Sequence, residues 1–80
     1  MSRTRRTPEQ IIADRFARIL RRHMRAAEWT RRELATKLGR HISAVWRWTE
    51  GKALPDVPML LKLAELFDVT IDQLVSRHAD

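Results

Sequence analysis

The sequence has no cysteine and no tyrosine, only two glycines and three prolines, and no long apolar run. Each shortage excludes something. Without cysteine there is no disulfide to staple a small fold and no thiolate to act as nucleophile or metal ligand, and the chain suits a reducing compartment such as the cytoplasm. A membrane span needs about 18 consecutive apolar residues, which the chain lacks, and the basic stretch up to Arg6 is not followed by the apolar core of a signal peptide. Ser2, Ser43 and Ser76 have no histidine and acid placed to activate them, and there is no glycine-rich phosphate loop. His23, His41 and His78 lie 18 and 37 residues apart with no cysteine near them, which is not a metal-ligand spacing. The expectation is a soluble, cytoplasmic, nucleoid-associated protein that is not an enzyme, with no cofactor, metal or small-molecule ligand.

What the sequence does have is positive charge, unevenly placed. Eighty residues, 44% hydrophobic, suffice for one compact domain and not for two. The formal charge of +6 resolves into three parts. Residues 1–32 hold ten arginines against three acids, a net of +7; residues 33–55 add +2; residues 56–80 carry two cations against five acids, a net of −3. A basic body with a mildly acidic end implies a polyanion partner on one side and another surface, such as a second copy of the chain, on the other.

The apolar spacing reads as five helices with no strand alternation. Thr7-Pro8-Glu9-Gln10 combines an N-cap, a proline in the first turn and a Gln that closes a capping box. Ile12, Phe16, Ile19, Leu20, His23, Met24 and Ala27 then mark one face of a helix to about Ala27, with Arg15, Arg18, Arg22 and Arg25 opposite. His23 falls on the apolar side and is read as a packed core histidine. Thr30 with Glu33 forms a second capping box, Trp29 stands where a hydrophobic staple meets Leu34, and Gly39 ends this short helix. A third helix spans about 42–50, with Val45, Trp48 and Thr49 on one side, and ends at Gly51. Asp56 caps a fourth, whose inward face is Leu60, Leu63, Ala64 and Phe67 and which ends at Asp68 where glycine is more usual. Thr70 with Gln73 is a third capping box and starts a fifth helix. Residues 1–7 form a flexible basic arm and 8–77 a single domain.

Residues 31–50 meet the size demands of a helix-turn-helix. A small residue is needed where the two helices cross (Ala35), a residue free to take positive φ in the turn (Gly39), and branched and large apolar side chains to lock the second helix down (Val45, Trp48). The same spacings also suit an ordinary helical hairpin. The stretch from Phe16 to Val75 nevertheless resembles the phage-repressor and Cro-like helix-turn-helix (XRE) family. The segments that carry it are Trp-Thr-Arg-Arg-Glu-Leu-Ala-Thr-Lys-Leu-Gly, Arg-Trp-Thr-Glu-Gly-Lys-Ala-Leu-Pro and Leu-Leu-Lys-Leu-Ala-Glu-Leu-Phe-Asp-Val-Thr-Ile-Asp-Gln-Leu.

The resemblance implies an all-α, five-helix, lambda-repressor-like domain that binds double-stranded operator DNA as a homodimer and regulates transcription, as a repressor. Carried over by position, the recognition helix offers Ile42, Ser43, Trp46 and Arg47 to the bases. Arg31, Arg32, Arg40, His41 and Lys52 face phosphates, and Arg3, Arg5 and Arg6 form an arm for the minor groove. His41 replaces the Ser or Thr that often caps this helix in the family, so a weaker helix start is expected. Two base-reading helices must lie about 34–36 Å apart, and the surface that pairs the copies falls in the region of helices 4 and 5, with Leu61, Leu66 and Val75 as candidates. Trp46, where the family usually has a short or polar residue, keeps a second reading open: a protein-interaction module, antitoxin-like or binding a phage or host protein through the Ile42/Trp46 face. A third reading, the arginine stripe of the first helix on an anionic membrane, conflicts with the need to bury that helix's apolar face in so small a core.

Overall fold

The computed structural model describes residues 7–75, so Arg3, Arg5, Arg6, Ser76, Arg77 and His78 lie outside the described residues. Five helices follow in order: α1 (Pro8–Ala27), α2 (Arg31–Leu38), α3 (Ile42–Thr49), α4 (Val57–Phe67) and α5 (Ile71–Val75), with no strand among the described residues. The fold is all-α, as expected.

The helix starts are chemical. Thr7 accepts from the Gln10 amide at 3.1 Å while the Gln10 side chain accepts from the Thr7 amide at 3.0 Å. Thr30 with Glu33 and Thr70 with Gln73 repeat this reciprocal pair, and Asp56 accepts from the Met59 amide at 3.0 Å. Each pair satisfies amides that a helix start would otherwise leave open.

The helix ends share one device. After α1, α2, α3 and α4 a residue turns left-handed, and the next amide reaches back five residues: Trp29 to Met24, Arg40 to Ala35, Lys52 to Arg47 and Val69 to Ala64, at 2.8–3.0 Å. These are Schellman closures, which satisfy the last carbonyls. Gly39 and Gly51 fill two of the left-handed positions, and Asp68 (φ 58°) and Glu28 (φ 62°) fill the others. Asp68 was anticipated; Glu28 was not, because glutamate carries no sequence signal for that conformation.

The core gathers Phe16, Leu20, Leu34, Val45, Leu63 and Leu74, all fully buried, with Ile19, Leu38, Trp48 and Met59 beside them. Three expected core positions differ. Ile12 is 40% exposed, because near the start of α1 the chain after α3 faces Thr7, Gln10 and Ala13 and leaves Ile12 on the open side. On α4, Met59, one turn before Leu63, is buried while Leu60 and Phe67 are half-buried. Phe67 has a specific role: its ring stacks on His23 and tilts against Trp29, each at 5.3 Å between centroids. His23 therefore packs against the rim of the core, and burial, then the neighbouring Arg22, holds its pKa below the usual 6.5.

Candidate nucleic-acid interface

The second and third helices are each eight residues long and pack directly on each other. Ala35 is buried on α2, and α3 turns Ala44, Val45, Trp48 and Thr49 inward. Gly39 makes the turn at φ 67°, and a Cβ built there meets nothing within 4 Å, so the backbone angle and not crowding demands glycine.

The start of α3 is firmer than the sequence implied. His41 takes the N-cap position: its Nδ1 accepts from the Ser43 amide at 3.1 Å and lies 2.9 Å from Ser43 Oγ. A ring nitrogen that accepts carries no proton, so the neutral imidazole keeps its N–H on Nε2. The substitution that looked like a lost cap is a cap of a different kind.

The end of α3 is held by two arginines from other helices. Thr49, buried, donates through Oγ1 to the Trp46 carbonyl at 3.0 Å and accepts there from Arg31 Nε at 2.8 Å. Its own carbonyl accepts from Arg21 of α1. Arg31 also pairs through Nη2 with the Glu50 carboxylate at 2.8 Å. Cations at a helix C-terminus oppose the negative end of its dipole, so both charges stabilise α3 as well as orient it. Arg31, placed by sequence at a phosphate, thus has its guanidinium on Thr49 and Glu50, with its side chain 39% exposed. The contact between Arg21 and Thr49 escaped sequence reasoning because it spans 28 residues and depends on how α1 crosses α3.

The remaining expected residues line the open side. Ser43, Trp46 and Arg47 are exposed along α3, and Ile42, at its first turn, is half-buried and packs against the core. Arg40 and His41 stand exposed before the helix and Lys52 after it, and Arg32 is exposed on α2. The Arg40 guanidinium carbon sits 5.8 Å from the Trp48 ring centroid, which steers this side chain alongside α3. The helix therefore has one face locked in the core and one face of Ser, Trp and Arg with cations at both ends. No described helix is long and apolar enough to cross a membrane.

A short α2, a glycine turn and an α3 with an open outer face define a helix-turn-helix. Residues 15–76 match the helix-turn-helix domain family, and the chain belongs to it. Among solved structures it is similar to a transcriptional regulator from Listeria innocua, at 30% identity and a TM-score of 0.72. That similarity covers 75% of this chain and 56% of the other, so the chain spans little more than half the length of that regulator. No curated protein matches the chain.

Proposed function

We propose that the chain is a sequence-specific double-stranded DNA-binding transcriptional regulator, a repressor that pairs with a second copy on a palindromic operator. One observation carries this reading: α3 exposes Ser43, Trp46 and Arg47 on its outer face while Val45, Trp48 and Thr49 fix the opposite face in the core. Arg47 has the planar fork that donates two hydrogen bonds to guanine O6 and N7. Ser43 pairs with several bases and discriminates weakly. Arg32, Arg40, Lys52, the Nε2–H of His41 and the exposed side of Arg31 supply phosphate contacts, and Arg3, Arg5 and Arg6 extend them into a minor groove.

The second copy docks in the region of α4 and α5. In support, Val57 and Leu61, one turn apart on α4, are 64% and 52% exposed, a degree of apolar exposure that a partner would relieve. Leu66 and Val75 are half-buried against the core and leave less to offer.

Titration of the protein against duplex DNA at several salt concentrations tests the reading. Each neutralised phosphate contributes about −0.9 to the slope of log affinity against log salt, so the cations Arg31, Arg32, Arg40 and Lys52 of two copies give a slope of about −7. Arg32→Ala, which removes one contact from each copy, is expected to weaken all duplexes alike and lower the slope by about two. Absence of duplex binding at low salt, or affinity indifferent to salt, contradicts the proposal.

A further inference from the structure

We infer that Trp46 reads thymine through its 5-methyl group, an inference that rests on α3 being the DNA-reading helix. The chain has three tryptophans, and two of them are covered: Trp29 packs on Phe67 and carries Lys37 Nζ 4.6 Å from its ring centroid, while Trp48 is buried beneath Arg40. Trp46 is 45% exposed, and among the described residues no aromatic ring or cation lies over it. It stands one turn from the half-buried Ile42 and next to Arg47 in the helix.

The setting selects the occupant. Arg40, Arg47 and Lys52 are the exposed charges along this face, and the nearby carboxylate, Glu50, is paired with Arg31 at 2.8 Å. An exposed indole beside Arg47, on a helix bracketed by Arg40 and Lys52, suits a polyanion. Trp and Arg are also enriched in protein contacts, so the charge decides: the exposed groups here are cations and the one nearby carboxylate is already paired. Within the major groove the thymine methyl is the one apolar group that projects from a base edge, since cytosine carries only a hydrogen at the same carbon, and it sits next to the O4 acceptor. An indole offers an apolar ring and a single donor, Nε1–H, so thymine is the base edge that matches both. Arg47 and Trp46 together then specify a guanine and a thymine in each half-site.

Uracil tests this directly, because it pairs as thymine does and lacks only the methyl. The duplex that the protein selects from a random pool is remade with each thymine replaced in turn by uracil, and binding is measured at fixed salt. At one position per half-site the replacement is expected to weaken binding about four-fold, the effect of one methyl group returned to water. Trp46→Ala is expected to abolish the difference between thymine and uracil at that position, and Trp46→Phe to keep it, with circular dichroism confirming that both variants fold. Sequence-specific binding in which uracil equals thymine at every position overturns the inference and leaves the DNA reading intact. Failure to bind any duplex, with Trp46 fluorescence instead responding to a protein partner, overturns both.

Discussion

Trp48→Ala is expected to lower the thermal midpoint of the chain by about 12–40 °C, while Trp46→Ala, two residues away, leaves it almost unchanged. Trp48 is 4% exposed and packs within the cluster that joins α1, α2 and α4 beneath α3. Removing a buried indole costs about 3–5 kcal/mol in lost transfer energy and cavity. A domain of this size has about 4–12 kcal/mol of stability in total, so one substitution removes about half of it. Trp46 makes no such contacts, and a surface truncation of this kind stays within about 0.5 kcal/mol. Thermal and urea denaturation followed by circular dichroism separate the two. Equal losses would mean that α3 has been assigned the wrong inner face.

A similar contrast is expected between the two glycines. Gly39→Ala forces an alanine into a left-handed turn with open space around it, for about 1–2 kcal/mol. Gly51 has the same sign of φ, at 73°, but a Cβ built there falls 2.6 Å from Asp14 Oδ1 and 3.6 Å from Asp14 Cα. The end of α3 thus lies close against α1, and a Cβ at Gly51 makes the Asp14 carboxylate turn aside while meeting its Cα at ordinary contact distance. Moving that carboxylate off its rotamer adds about 0.5–1.5 kcal/mol to the conformational cost, so Gly51→Ala is expected to be the worse variant by that margin in urea titrations. Adding Asp14→Ala to Gly51→Ala should restore part of the loss, a coupling that a double-mutant cycle measures. Identical behaviour of the two glycine variants would exclude the close approach.

Much of this was legible in the sequence, for a physical reason. Three Thr-x-x-Gln/Glu capping boxes, Asp56 and the two glycines act within one helical turn, and local chemistry of that kind is written in adjacent residues. The two faces of α3 were likewise readable, since a period of 3.6 separates Val45 and Trp48 from Trp46 and Arg47. What was not legible depends on neighbours distant in sequence. Ile12 fits the α1 stripe and is exposed because no described element covers its side, and Met59 is buried because α4 settles with Leu63 at the centre of its inner face. The convergence of Arg21 and Arg31 on Thr49 could not be read from the sequence, where Arg21 lies outside the arginine stripe of the first helix and Arg31 reads as one of several phosphate-facing cations. Nor could the cap made by His41, since an imidazole accepts or donates according to its tautomer.

These contacts give the reading of α3 mechanical content. The helix is capped by His41 at its start, sealed by Gly51 and Lys52 at its end, and tied through Thr49 to α1 and through Thr49 and Glu50 to α2. A helix anchored at both ends loses little freedom when its outer face meets a ligand, so the binding energy of that face goes into discrimination.

The most direct test of this account is selection of bound sequences from a random duplex pool by the wild-type protein and by Arg47→Ala, in parallel at one salt concentration. Base reading by Arg47 predicts a palindromic consensus for the wild type, and for the variant the loss of one guanine preference in each half, worth about 1–3 kcal/mol, with the other positions retained. An unchanged consensus for Arg47→Ala would contradict it.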